Sequence, residues 1–186
     1  MIPKIIHYCW FGGKPLPKIA EKCIASWKKY LPGYEIKRWD ESNFDVNAIP
    51  YTREAYAACK FAFVSDYARF WILYHYGGVY FDTDVEVIRP VDDILERGDF
   101  LGVESDRNGE ITVNPGLGFA ASKGSEAIWE LLNLYRTFHF LNADGTHCLK
   151  NIVEITTEYL SARGLENTGE IQQCCGFTIY PKDSFC

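Results

Sequence analysis

The sequence predicts an α/β domain in which a mainly parallel central sheet is flanked by helices, and three observations carry that reading. Short aliphatic and aromatic runs bounded by Gly, Pro or polar clusters read as buried strands. Longer segments with apolar residues every three or four positions read as helices. The two kinds alternate along the chain, which is the pattern of helices packed on a parallel sheet.

Taken in order, residues 4–10 form the first expected strand, and Phe11-Gly12-Gly13-Lys14-Pro15-Leu16-Pro17 closes it as a loop. Over residues 18–30 the apolar positions Ile19, Cys23, Ile24 and Trp27, continuing to Leu31, have the steps of an amphipathic helix. Pro32-Gly33 ends it, and residues 34–39 read as the second strand. A short helix is expected at 52–58, then a longer one at 61–76 that is apolar on nearly every side and therefore buried. Gly77-Gly78 stops this helix, because glycine accepts the left-handed backbone of a helix end. Residues 79–87 then read as a strand with an acidic interruption. Further strands are expected at 99–103, 111–113 and 117–121, and helices at 125–138 and 149–163. With 186 residues and no repeat, low-complexity run or linker, one domain over 1–186 is expected.

Composition narrows the function. Hydrophobic residues at 47% and aromatics at 16% exclude a disordered chain. A formal net charge of -6, with no basic run longer than Lys28-Lys29, argues against nucleic acid as a partner. A negative chain that holds an anionic nucleotide needs local arginines, a divalent cation, or both. No run approaches the roughly 20 apolar residues of a transmembrane helix, and Met1-Ile2-Pro3-Lys4 lacks the basic start of a signal peptide. Cys9, Cys23, Cys59, Cys148, Cys174, Cys175 and Cys186 have no zinc-like spacing and read as free thiols in a reducing cytoplasm. His7 and His75 read as structural.

Two clusters carry chemistry. Asp66 and Arg69 are the only charges among the apolar residues of 61–74, and their i, i+3 spacing puts them on one helix face. An unpaired buried charge costs several kcal/mol, so each needs a partner, and an internal ion pair that locks the helix is one reading. In the following strand, period-2 alternation puts Val79, Phe81, Thr83, Val85 and Val87 on one side and Tyr80, Asp82, Asp84 and Glu86 on the other. Three carboxylates so close repel one another and call for something cationic. Carboxylates with room for water and phosphate suit Mg²⁺ or Mn²⁺. A bare Asp-x-Asp is also a common exposed turn; the apolar flanks, however, put this one at the end of a buried strand, where open α/β sheets bind ligands.

The run Ser65-Asp66-Tyr67-Ala68-Arg69, followed by Leu73-Tyr74-His75-Tyr76-Gly77-Gly78-Val79-Tyr80-Phe81-Asp82-Thr83-Asp84, resembles the signature of glycosyltransferases with a DXD motif. It is most similar to family 32, with its yeast initiating α-1,6-mannosyltransferases and bacterial capsular polysaccharide transferases, and more distantly to the clostridial glucosylating toxins. The opening Ile2-Pro3-Lys4-Ile5-Ile6-His7-Tyr8-Cys9-Trp10-Phe11-Gly12-Gly13, and Ser26-Trp27 before Pro32-Gly33-Tyr34, also resemble the family, so the likeness covers residues 1–120.

The resemblance implies a GT-A fold, a single Rossmann-like domain with the donor bound across the carboxyl ends of the strands. It implies Asp84 as a direct metal ligand and Asp82 as a contact to the donor and to the metal, Mn²⁺ or Mg²⁺. Asp66 and Arg69 would hold the sugar hydroxyls and the phosphate side, with Asp66, Arg69 and Asp82 as the catalytic set. Trp10 would stack on the base, with a core aromatic after a strand as the alternative reading. Tyr80 joins the donor-binding set, as does Asn114, which before Pro115-Gly116 reads equally as a turn residue.

The activity so implied is retaining transfer of a hexose from a nucleotide-diphosphate sugar, UDP-hexose first and GDP-mannose second. The acceptor would be a saccharide or lipid-linked saccharide, in surface polysaccharide synthesis at the cytoplasmic side, with peripheral membrane contact. The family's C-terminal segment, a His and a Ser-Trp pair that closes over the phosphates, has no counterpart before Pro181-Lys182-Asp183-Ser184-Phe185-Cys186. A non-catalytic or truncated sugar-nucleotide-binding domain is therefore the alternative, and a purely structural acidic edge is a third reading.

Overall fold

Strand β1 (Ile5–Cys9) lies at the heart of the parallel half of the sheet, and the helix that follows it, α1 (Lys18–Tyr30), returns the chain so that β2 (Glu35–Trp39) pairs with β1 in parallel. The computed structural model describes residues 1–105 and 109–185. After β2 come α2 (Pro50–Ala57) and the long α3 (Phe61–Tyr76), and then β3 (Gly78–Tyr80), which pairs in parallel with the other edge of β1. The remaining elements are α4 (Asp92–Leu95), β4 (Phe100–Ser105), β5 (Ile111–Val113), β6 (Phe119–Ala121), α5 (Glu126–Tyr135), α6 (Ile152–Ser161), β7 (Gln172–Cys174) and β8 (Phe177–Tyr180). The sheet order is β2-β1-β3-β6-β4-β8-β7, with β5 paired to β4. β4 and β8 are also parallel, while β6 runs antiparallel between β3 and β4.

The pleat sorts the core into two faces. Ile6, Tyr8, Val79, Phe100 and Ala120 point to the side covered by α1, where Trp27 and Phe81 pack. Their neighbours Cys9, Tyr80, Leu101, Phe119 and Ala121 point to the side of Tyr67, Phe70, Leu131 and Leu160, on α3, α5 and α6. α3 is buried between sheet and helices, as its all-round apolar sequence requires.

The expected strand over 79–87 ends at Tyr80. From there the backbone turns, with the Val85 N–H donating to the Asp82 carbonyl (3.1 Å). Side chains of α1 hold the segment beyond this turn: Trp27 Nε1 donates to the Val85 carbonyl (2.8 Å), and Ser26 Oγ accepts the Val87 N–H (2.9 Å). Those backbone groups would otherwise serve a strand ladder, and three crowded carboxylates gain from being splayed apart. Glu86 consequently turns outward to Lys22 (2.7 Å).

Other boundaries shift by a few residues. α5 stops at Tyr135 rather than 138, and α6 starts at Ile152 rather than 149, because Asn151 and Glu154 form a capping box there. The β7–β8 hairpin is absent from the sequence expectation; its turn is built by Cys175 and Gly176, both at positive φ (51° and 82°). All six described cysteines are free, with Cys9, Cys23 and Cys174 buried and Cys59 exposed, and Cys186 lies outside the described residues. No described helix is long and apolar enough to cross a membrane.

The helix-to-strand passage at Gly77-Gly78 is set by close contact. Gly78 has φ 110°, and a Cβ there would come within 2.7 Å of the Ile5 carbonyl oxygen. His7, fully buried, secures the same corner: its Nδ1 accepts from Trp39 Nε1 (3.0 Å), so its Nε2–H donates to the Gly77 carbonyl (2.9 Å). This is a neutral imidazole, and burial pushes its pKa from 6.5 down to about 4. Between those values the unfolded chain takes up a proton that the folded one refuses, so the associated stability is complete above pH 6.5 and declines as pH falls toward 4. Denaturant titrations at pH 7 and pH 4 are therefore expected to differ less for His7→Gln than for the parent, by on the order of 3 kcal/mol. Equal pH dependence in the two proteins would refute the neutral assignment.

Candidate active site

Because β1 and β3 are adjacent and parallel, the residues that follow them emerge at the same end of the sheet. There a cavity of about 510 Å³ opens, lined by Cys9, Trp10, Phe11 and Lys14 after β1, by Phe61, Ser65 and Arg69 of α3, and by Asp82, Thr83 and Asp84 after β3. Of the expected site residues, Trp10, Arg69, Asp82 and Asp84 meet in this space.

Arg69 organises it. Its side chain is only 5% exposed, yet it reaches two carboxylates. Nη1 donates to Asp82 Oδ2 and Nη2 lies against Asp82 Oδ1, both at 3.2 Å; Nη2 also donates to Asp66 Oδ1 at 3.3 Å. Nε donates to the Ser65 carbonyl (3.3 Å), and the guanidinium sits 4.7 Å over the Tyr80 ring. Burial opposes the charge on Arg69, but the Asp82 and Asp66 carboxylates outweigh it and hold its pKa above the ordinary value. The Tyr80 hydroxyl donates to Asp82 Oδ1 (3.2 Å), so both oxygens of Asp82 are engaged by protein.

Asp66 faces inward. Its Oδ2 accepts the N–H of Ile152 (3.2 Å), the first residue of α6, where a helix N-terminus favours negative charge. Burial raises its pKa from 3.8 to about 6, against the opposing pull of Arg69 and with Asp82 adding to the rise. Asp66 thus joins α3 to α6 and backs Arg69, without lining the cavity.

Asp84 is the contrasting member of the pair: exposed, on the cavity wall, and with no hydrogen bond or ion pair among the described residues. No group of three or more His, Cys, Asp or Glu side chains gathers to hold a metal among the described residues. A donor set of one free and one engaged carboxylate suits Mg²⁺ or Mn²⁺, which complete their shells with waters and phosphate oxygens, and does not suit a structural zinc.

Trp10 is half-buried, its Nε1 donating to the Lys14 carbonyl (2.6 Å), which pins the ring against the cavity. Asn114 lies off the cavity lining: its Oδ1 accepts the Gly116 N–H (2.8 Å) and its Nδ2 donates to Glu104 Oε2 (3.2 Å). Lys14 and Phe61 were not among the expected site residues, and Ser65 entered only as part of the signature run. Lys14 carried one usable signal, a lone cation in the glycine loop after the first strand.

An open α/β sheet with an Asp-x-Asp at the carboxyl end of a central strand, clamped by a buried arginine from the preceding helix, defines a GT-A-type domain. The solved structure named PaToxG Glycosyltransferase has the same fold, with a TM-score of 0.63 at 20% identity over 87% of this chain and 69% of that one. Residues 17–101 match the glycosyltransferase sugar-binding region containing DXD motif, a span that includes Asp66, Arg69, Tyr80, Asp82 and Asp84 and leaves out Trp10 and Asn114.

Relatives include inositol phosphoceramide mannosyltransferase 1 of Schizosaccharomyces pombe, 30% identical over 111 residues, or 54% of this chain and 33% of that protein. Inositol phosphoceramide mannosyltransferase 3 of the same yeast is 36% identical over 101 residues, 50% of this chain and 27% of that protein. An uncharacterised glycosyltransferase of Acanthamoeba polyphaga mimivirus is 34% identical over 54% of this chain and 43% of its own length. The chain is thus similar in sequence, over about half of its length, to DXD-containing glycosyltransferases, and it spans about a third of the length of the yeast proteins it matches.

Removing Arg69 leaves a buried carboxylate at Asp66 without its cation. Arg69→Met is expected to cost about 3–5 kcal/mol in urea unfolding, and adding Asp66→Asn to recover most of that loss. A double variant no more stable than the single one would show that the pair does not carry this energy.

Proposed function

We propose that this chain is a metal-dependent glycosyltransferase that moves a hexose from a nucleotide-diphosphate sugar to a saccharide or lipid-linked saccharide. The observation that carries the proposal is the division of labour in the DXD pair, Asp82 clamped by Arg69 and Asp84 left free beside a nucleotide-sized cavity. Trp10 offers a plane for the base, and Lys14 and Arg69 supply cationic character for the diphosphate in a chain of net charge -6. Mn²⁺ or Mg²⁺, bound through Asp84 with Asp82 behind it, would offset the charge that grows on the leaving diphosphate. Arg69 fixes Asp82 so that it does not have to reorganise as the bond breaks.

Retention of configuration fits the carboxylates available. Among the described residues lining the cavity, only Asp82 and Asp84 are acidic, and both have other tasks, while Asp66 is turned to α6. With no further carboxylate among the described lining residues to act as nucleophile, front-face transfer is favoured. The bond from the sugar carbon to the diphosphate oxygen breaks, the acceptor oxygen bonds that carbon on the same face, and the acceptor proton passes to the departing phosphate.

The resemblance to bacterial capsular enzymes supports UDP-hexose and a role in surface polysaccharide synthesis on the cytoplasmic side, while the names of the yeast relatives support mannose and a lipid acceptor. Calorimetry with UDP- and GDP-sugars, with and without Mn²⁺, tests the reading. Binding is expected only with metal and is expected to fall below detection in Asp84→Ala. Unchanged affinity in that variant would sink the metal role, and binding without transfer or hydrolysis would favour the non-catalytic alternative.

A further inference from the structure

Gly116 lies outside the positive-φ region, so its backbone does not require glycine. Its surroundings do. A Cβ at this position would stand 2.1 Å from Asp82 Oδ2, 3.0 Å from Asn114 Oδ1 and 3.1 Å from Arg69 Nη1. The first of these is well inside any van der Waals contact, and the atom struck is the acceptor of the Arg69 Nη1 bond. Gly116 also meets Asp82 through its backbone, its carbonyl accepting the Asp82 N–H (3.1 Å). The carboxylate is therefore seated between a guanidinium on one side and a bare backbone on the other.

Asn114 builds that backbone surface. Its Oδ1 accepts the Gly116 N–H (2.8 Å), its carbonyl accepts the Leu117 N–H (3.2 Å), and its own N–H is held by the Gly102 carbonyl (3.0 Å). The turn is thereby anchored to the sheet rather than free to yield. We infer that Gly116 is a positioning residue for the DXD site, with Asn114 as its support: the missing side chain leaves the space in which Asp82 can take both Arg69 bonds. This role rests on the nucleotide-sugar reading for its consequence, but the geometry it invokes is independent of that reading.

Gly116→Ala is therefore expected to displace Asp82 from Arg69, and the larger part of the damage to run through Asp82, because the contacts with Asn114 Oδ1 and Arg69 Nη1 are looser. Four proteins test it: the parent, Gly116→Ala, Asp82→Ala, and the double variant, in which the atom the new methyl would strike is gone. The melting temperature is expected to fall by several degrees for Gly116→Ala in the parent and by much less in the Asp82→Ala background, where only the looser contacts with Asn114 and Arg69 remain. In parallel, Gly116→Ala is expected to weaken Mn²⁺-dependent binding of UDP or GDP by about tenfold or more. An equal loss of melting temperature in both backgrounds overturns the inference, as does unchanged nucleotide affinity in Gly116→Ala when the parent binds. If the parent binds neither nucleotide, it is the proposed function that fails, and the melting cycle alone decides the role of Gly116.

Discussion

The arrangement depends on one guanidinium that is almost entirely buried, at the wall of the cavity. Arg69 enters the site from a helix buried on nearly every face, and a charge so placed is tolerable only with partners. Its partners come from opposite directions: Asp66 one turn earlier on the same helix, and Asp82 just beyond the next strand. The pair Asp66–Arg69 satisfies the interior, and the pair Arg69–Asp82 exports that satisfaction to the cavity wall. One carboxylate of the DXD motif is consequently a fixed part of the protein, and the other is available to a ligand.

Everything near this bridge controls where Asp82 sits. Gly77-Gly78 and the neutral His7 set the angle at which the buried helix becomes the strand leading to Asp82. Ser26 and Trp27 of α1 hold the backbone at Val87 and Val85, so the acidic residues lie on a tethered turn instead of a sheet edge. Tyr80 closes one oxygen of Asp82 from within. The site is thus built mostly from rigid elements, which suits a reaction in which charge must be met by groups already in place.

The helices at 18–30 and 61–76 and the strand at 111–113 were legible to the residue: the first two carry an apolar pattern of helical period, and all three are followed or preceded by turn-forming residues. The strand expected to carry the DXD motif was legible only as far as Tyr80. Alternation of Val and Asp imitates a half-buried strand, and nothing local reveals that Ser26 and Trp27, some sixty residues earlier, take the backbone bonds of that segment. Of the β7–β8 hairpin, only β7 was hidden: Gln172-Gln173-Cys174 has little apolar signal and its strand exists through pairing with β8, whereas Phe177-Thr178-Ile179-Tyr180, between Gly176 and Pro181, has the pattern of a buried strand that the sequence reading did not include. Asp66 and Arg69 were readable as a pair from burial cost alone. That Asp66 would turn to the N–H of Ile152 was not, since the partner is 86 residues away and contributes only backbone.

The most direct test of the division between Asp82 and Asp84 is a crystal structure of the chain grown with Mn²⁺ and UDP, using anomalous scattering to locate the metal. A Mn²⁺ peak is expected within about 2.5 Å of an Asp84 carboxylate oxygen, with Arg69 still bonded to both oxygens of Asp82. A metal bound away from Asp84, or an Arg69 released from Asp82 to reach it, would contradict the claim that the buried guanidinium fixes one carboxylate and frees the other.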